Sequence, residues 1–158
     1  MPKYRLLSLE ELKELEKEFI DYLVVNGITA DDWGKIKDED SSKAAQIIEL
    51  FSDVVFEGIM RKVKFLELRT RSELKVFQCL ADKLVLVGMS AEPNQEVDFT
   101  NPDFVKNAMV EPPSGLKVYT SEKPYEDKRE IELFKIIQAG GVIVDDRLFK
   151  SLCMALSA

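Results

Sequence analysis

A change in hydrophobic period near residue 62 constrains the fold of this chain more than any other feature of the sequence. Residues 8–62 repeat apolar side chains at three- and four-residue spacing, which is typical of amphipathic helices. Residues 63–90 contain three stretches rich in β-forming residues with partial alternation, and these stretches indicate strands. Helices that precede strands without regular alternation favour an α+β fold over a parallel α/β fold.

Two helices with recognisable caps are predicted before residue 40. Ser8 and Glu11 form a capping-box pattern, and the helix that they begin is expected to continue to Gly27. A second cap, a threonine followed by an aspartate three residues later, opens a short helix that carries Trp33. Gly34 and the charged stretch after it are expected to end this helix.

The third predicted helix is long and should be largely buried. It begins at Ser41 or Ser42 and carries apolar residues along one face, with further apolar residues beside it. The face consists of Ala44, Ile48, Phe51, Val55, Ile59 and Lys62, and it is widened by Ile47, Val54 and Phe56.

The remaining predicted elements are short and mixed. Strands are predicted over residues 63–70, 74–80 and 84–90, and a tight hairpin joins the last two. Farther along, the pattern predicts strands over 97–99 and 116–120, an extended link over 142–144, and helices from Asn101, over 126–139 and after Asp145. We therefore expect a single domain of residues 1–158. In it, a helical part (1–62) packs on a small, mainly antiparallel sheet within a mixed part (63–158) that also contains the C-terminal helices.

The composition excludes several classes of function. The chain contains no histidine, so it has neither a Ser-His-Asp nor a Cys-His catalytic arrangement and no imidazole metal ligand. It has no Gly-x-Gly-x-x-Gly or P-loop pattern, and its acidic residues between positions 31 and 40 lack the spacing of an EF-hand. No cofactor and no metal ion are therefore expected.

The cysteines and the apolar runs indicate a compartment. Cys79 and Cys153 are too few for a disulfide framework, and residues 1–20 lack a secretory signal. The longest apolar run, residues 84–89, is too short to cross a bilayer, which needs about 20 residues. We expect a cytoplasmic protein without membrane association, whose two thiols are reduced and inert.

Asp53 and Glu57 are the candidate catalytic residues, because they lie one helical turn apart amid apolar residues. Adjacent buried carboxylates push their pKa values apart and can serve as an acid and a base. Arg61 follows Glu57 at i+4, a spacing that also suits an ion pair, and we favour the ion pair.

A basic segment interrupts a chain whose net charge is −7. Residues 58–75 carry six basic and two acidic residues, a net charge of +4. Arg61, Arg69 and Arg71 are its candidate ligand-binding residues, for a phosphate or a nucleic-acid backbone. The overall negative charge opposes nucleic-acid binding, so pairing with the acidic first helix, within the chain or across a dimer, is favoured.

Three segments spread over most of the chain carry a family resemblance. They run from Lys3 to Trp33, over residues 51–58 and over residues 134–142. With these segments the chain resembles a family of small uncharacterised proteins of the Bacteroidota. The resemblance implies a bacterial cytosolic protein and supplies no catalytic residues.

Together these features favour a non-enzymatic protein-interaction module, with a protein partner or as a homo-oligomer, and Trp33 is its interface candidate. Two alternatives stay open. One is a small-molecule binder or enzyme that uses carboxylates and arginines, which would require a concave pocket that joins them. The other is nucleic-acid or phosphate binding through residues 61–75, although a nucleic-acid partner is not expected.

Overall fold

The computed structural model describes residues 2–111 and 113–157, and its helices and strands confirm the α+β class. The chain divides into two compact units, Met1–Arg61 and Lys62–Ala158. That the chain forms a single domain stays a prediction. Within the described ranges, every helix falls short of the length or the hydropathy that crossing a bilayer requires.

The first unit is built from four helices, two of which begin at the predicted caps. The Ser8 hydroxyl accepts from the Glu11 amide and Thr29 does the same for Asp32, and both capping boxes are complete. The helices are α1 (Leu9–Glu14), α2 (Glu16–Val25), α3 (Ala30–Glu39) and α4 (Ser41–Lys62).

The first predicted helix is in fact two helices. Leu15 separates α1 from α2, and its ψ of 21° departs from the helical value of about −42°. Gly27 follows the end of α2 as predicted, with a φ of 74°. The Ile28 amide donates to the Leu23 carbonyl at 2.8 Å across this glycine, which completes a Schellman cap.

α3 continues through Gly34 and ends at Glu39, within the predicted charged stretch, so Gly34 itself does not end the helix. A glycine inside a helix costs only about 1 kcal/mol relative to alanine. The neighbouring Trp33 packs edge-on against Phe19 of α2, with ring centroids 5.2 Å apart. This contact stabilises the turn that the glycine weakens.

The buried face of α4 differs from the predicted stripe, because Val54 and Ile59 are exposed. Two different groups of residues pack on this helix. Aromatic rings of α2 meet Phe51, and the segment before α1 covers Ser52 and Phe56. The buried residues therefore wind around the helix: Ala44, Ile47, Phe51, Ser52, Phe56 and Met60.

The second unit contains a five-stranded antiparallel sheet. Its strands are β1 (Phe65–Arg69), β2 (Glu73–Cys79), β3 (Lys83–Ser90), β4 (Lys117–Pro124) and β5 (Val142–Val144). Their order in the sheet is β4-β3-β2-β1-β5. The predicted hairpin between β2 and β3 is present, whereas the predicted extended link at residues 142–144 is the edge strand β5, paired with β1.

Three helices complete the second unit: α5 (Pro102–Val110), α6 (Arg129–Gln138) and α7 (Arg147–Ser157). Side chains from one face of β2 and β3 form a core with α5 and α7, which comprises Leu74, Val76, Val87, Met89, Val97, Phe99, Val105, Phe149 and Leu152. Residues 97–99 are irregular, and the strand predicted there is wrong. They enter this core through Val97 and Phe99 instead.

Gly88 of β3 has no room for a side chain. It lies opposite Tyr119 of β4, and a Cβ at Gly88 would overlap the tyrosine ring. The Tyr119 hydroxyl donates to the carboxylate of Glu73, which fixes the ring across the sheet. A larger residue at position 88 would therefore force the Tyr119 ring to move.

Candidate functional site

A groove between α2 and α3 is the main candidate site of the first unit. Residues 26–29 join the two helices, which form a helical hairpin. The groove has a volume of about 300 Å³. Seven of its nine lining residues are apolar, and the full lining is Glu16, Phe19, Ile20, Leu23, Val24, Ile28, Ala30, Trp33 and Lys37.

Trp33 is held in a fixed position on one wall of this groove. Its ring contacts Phe19, and Phe19 in turn packs on Phe51 of α4 with ring centroids 4.9 Å apart. The Lys37 ammonium lies 5.9 Å from the centre of the indole ring, within the range of a cation–π contact. The indole remains half-buried. A rigid, partly exposed aromatic ring of this kind is typical of binding surfaces.

Ile20 and Val24 form the open part of the opposite wall. They lie one helical turn apart on α2, and their exposed fractions are 49% and 65%. Val25 is still more exposed, at 84%, but it does not line the groove. The groove thus presents apolar surface to solvent.

Trp33, the interface candidate from the sequence, lines the groove, and its role in an interface stays a prediction. The sequence did not predict the rest of the groove. The available signal was the pair of adjacent apolar doublets in α2, in which Ile20 follows Phe19 and Val24 follows Leu23. Only one member of each doublet belongs to the stripe that packs inward, so α2 carries more apolar surface than its core contacts need.

The two candidate catalytic carboxylates hold the segment before α1. One Asp53 oxygen accepts from the backbone amides of Lys3 and Tyr4, at 2.8 and 3.2 Å. Glu57 accepts from the Tyr4 hydroxyl and pairs with Arg61 at 3.4 Å, so the favoured ion pair is present. Both carboxylates therefore make structural contacts, and their role as an acid–base pair stays a prediction.

Removal of the Asp53 carboxylate should loosen this segment. We expect Asp53→Ala to lose about 1–2 kcal/mol of unfolding free energy, because two backbone amides lose a charged acceptor. Urea unfolding followed by the fluorescence of Trp33, the only tryptophan, would measure the loss. Asp53→Asn retains an oxygen acceptor and should lose less. Equal stability of Asp53→Ala and the wild type would contradict this prediction.

Two of the three candidate arginines pair with nearby glutamates. Arg61 pairs with Glu57, and Arg69 pairs with Glu67 at 2.8 Å. Glu57 lies on α4 and Glu67 lies on β1. These two pairs therefore differ from the predicted pairing of the basic segment with the acidic first helix. The Arg69 Nε atom is buried, and it has no hydrogen-bond partner in the described part of the chain.

Arg71 lines a separate polar cavity of about 560 Å³ in the second unit. Its other lining residues are Gln95, Glu96, Val97, Asp98, Asn101 and Phe104. Hydrogen bonds from Thr100, together with the positive charge of Arg71, lower the pKa of Asp98 below its usual value, so this carboxylate is ionised at neutral pH. Neither Asp53 nor Glu57 lines this cavity.

In the described part of the chain, neither Cys79 nor Cys153 forms a disulfide bond. Cys79 is buried, and this burial raises the pKa of its thiol to about 11. A thiol is nucleophilic only as the thiolate, so this shift supports the expectation that Cys79 is inert.

The raised pKa predicts slow alkylation of Cys79 in the folded protein. At pH 8 its thiolate fraction should be about a hundredfold lower than that of an unperturbed thiol. The fold holds the neutral thiol, so stability should be unaffected below the unfolded pKa of about 8.5 and should fall as pH rises towards 11. Iodoacetamide labelling with peptide mass spectrometry, in buffer and in urea, would test the first expectation. Equal labelling rates in both conditions would contradict it.

The described structure thus defines an α+β protein with an antiparallel sheet and, in its helical unit, an apolar groove. In residues 2–111 and 113–157, His, Cys, Asp and Glu side chains form no cluster of three or more that could hold a metal ion. The chain belongs to a family of unknown function (DUF6495), which matches residues 1–157. No curated protein and no solved structure matches the chain.

Proposed function

We propose that this chain is a non-enzymatic protein-interaction module of the bacterial cytoplasm, and that a partner protein binds the α2–α3 groove. The observation that carries the proposal is the apolar groove beside a half-buried, fixed Trp33. Interface hot spots are enriched in tryptophan, and grooves between helices accept apolar anchors from a partner. The bacterial and cytoplasmic assignment is supported by the resemblance of the three segments and by two cysteines that form no disulfide bond among the described residues.

The roles of the other candidate groups support a binding function over catalysis. Asp53 and Glu57 are engaged with the segment before α1, and burial keeps the Cys79 thiol neutral. None of these three residues lines the groove. Ile20 and Val24, by contrast, line the groove and are exposed to solvent.

Site-specific photo-crosslinking tests this proposal. A benzoyl-phenylalanine at position 24 should crosslink to another protein in cells, whereas the same group at position 25 should crosslink far less. Position 25 is the matched control because both side chains are exposed on α2 and only Val24 lines the groove. Equal crosslinking from both positions, or none from position 24, would count against the proposal. A crosslink to a second copy of the chain would identify a homo-oligomer.

A second candidate function is the binding of a small zwitterionic molecule in the Arg71 cavity. Its volume of about 560 Å³ lies within the usual range of ligand pockets, about 300–1,000 Å³. The Arg71 guanidinium would bind an anionic group, the carboxylates of Glu96 and Asp98 would bind a cationic group, and Phe104 supplies an aromatic side chain. Titration with the zwitterions glycine and phenylalanine, followed by the NMR signal of the Arg71 side chain, would test it. Binding that persists in Arg71→Gln would exclude this cavity.

Nucleic-acid binding has the least support among the alternatives. Within the basic segment, Arg61 and Arg69 pair with Glu57 and Glu67, and Lys75 lies 3.8 Å from Glu73. Nearby carboxylates neutralise the charge that a phosphate backbone requires. We therefore propose that the partner is a protein.

A further inference from the structure

We propose that the occupant of the α2–α3 groove is an amphipathic helix with a basic polar face, contributed by another protein. This inference rests on the proposed function and adds the shape and the charge of the partner. The inference is supported by three observations: the position of the exposed apolar residues on α2, the Trp33 indole on the facing wall of the groove, and the net charge of the α2–α3 hairpin.

The dimensions of the groove suit a helix. α2 has ten residues and is about 15 Å long. A partner helix that places apolar side chains at i, i+4 and i+7 spans about 10.5 Å, which fits along this length. Ile20 and Val24 repeat at the same one-turn spacing, and Trp33 lies on the facing wall. Two or three apolar anchors can therefore be bound in register.

The negative charge of the α2–α3 hairpin favours a partner helix whose polar face is positively charged. Residues 16–39 contain three basic and seven acidic residues, a net charge of −4. Lys37, one of the three cations, lies against the Trp33 ring. The groove itself is lined by one acidic and one basic residue, Glu16 and Lys37. The preference for a basic helix therefore comes from the net negative charge of the whole hairpin, which attracts such a helix at long range.

The same charge argues against a second copy of the chain as the occupant. The chain has a net charge of −7, so two copies repel each other. Self-association through this groove would also bring two acidic hairpins together, and like charges across an interface are unfavourable.

Peptide titration with the full chain provides the test. Three helical peptides about four turns long carry leucines at i, i+4 and i+7, and their remaining positions are lysine and arginine, glutamate, or glutamine. Trp33 fluorescence reports occupancy of the groove directly, since it is the only tryptophan. We expect the basic peptide to bind about tenfold tighter than the acidic peptide at low salt, with the difference reduced in about 0.5 M salt.

Two charge-matched variants locate the binding. Ile20→Glu should weaken the basic peptide by about tenfold or more, because a carboxylate enters the apolar wall. Val25→Glu adds the same charge outside the groove and should leave the affinity nearly unchanged. Val24→Glu serves as the second groove variant, and far-ultraviolet circular dichroism checks that all three retain their helices.

Each contrary outcome overturns a defined part of the inference. Equal binding of the basic and acidic peptides would overturn the charge preference and leave the groove as a protein-binding site. Failure of all three peptides, with crosslinking from position 24 retained, would overturn the helical partner alone. Equal weakening by Ile20→Glu and Val25→Glu would place binding elsewhere. A dimer in light scattering that Ile20→Glu abolishes would make a second copy the occupant.

Discussion

Replacement of Phe99 by alanine should destabilise the second unit by about 3–5 kcal/mol, the range for truncation of a buried aromatic ring. Phe99 is fully buried in an irregular segment, and its ring meets Phe104 edge-on with centroids 5.4 Å apart. Its amide donates to the Arg71 carbonyl at 3.0 Å, which anchors the segment beside the sheet. The cavity left by the ring would lie within the core formed by β2, β3, α5 and α7.

Amide hydrogen exchange of β2 and β3, together with urea unfolding followed by circular dichroism, would measure this loss. Exchange is needed because the chain has two compact units, and a single unfolding curve can combine them. Val110→Ala is the matched control, since Val110 is 84% exposed and its truncation should change stability by less than about 0.5 kcal/mol. A loss of less than about 1 kcal/mol for Phe99→Ala would contradict the core assignment.

Replacement of Arg129 by leucine should cost about 3 kcal/mol or more of unfolding free energy. The guanidinium of this residue donates to the carbonyls of Val63, Cys79 and Leu80, the last two at 3.1 Å. It therefore joins the start of α6 to the ends of two strands. Leucine would leave these carbonyls without their charged donor while filling part of the same space.

Two variants separate the hydrogen bonds of Arg129 from the effects of charge. Arg129→Lys keeps the charge but cannot reach three carbonyls with a planar group, so it should lose an intermediate amount. Lys135→Leu removes a positive charge from an exposed position of the same helix and should be nearly neutral. Equal unfolding free energies for Arg129→Leu and Lys135→Leu would show that the carbonyl contacts contribute little.

Local signals predicted most of the elements. The capping boxes at Ser8 and Thr29 are complete, Asn101 caps α5, and the turn between β2 and β3 lies where the residue pattern placed it. Each of these features depends on residues within about four positions of one another, where propensity and hydrogen bonding act without help from the rest of the fold.

Predictions failed where contacts with residues far away in the sequence determine the backbone conformation. The break at Leu15 occurs without glycine or proline, and α3 continues through Gly34 beside a ring contact with another helix. Residues 97–99 have an alternating pattern but pack as an irregular segment in the core. In each case tertiary packing overrides a weak local preference.

The candidate site was predictable only in part. A single tryptophan beside a helix cap indicated Trp33, and helical spacing indicated the ion pair of Glu57 and Arg61. The contact of Asp53 with Lys3 and Tyr4 was not predictable, because about fifty positions separate these residues. A groove likewise exists only when two helices pair.

The sequence by itself determined the α+β class, the starts of the capped helices, the β2–β3 hairpin and the absence of histidine chemistry. These follow from the identity of each residue and its near neighbours. Only the tertiary structure decided which apolar residues stay exposed at the groove and which carbonyls Arg129 contacts, the most distant of them 66 positions away. Both depend on the packing of elements far apart in the chain. Because the hydrophobic effect is non-directional, the apolar residues of a segment do not by themselves specify which other segment they pack against.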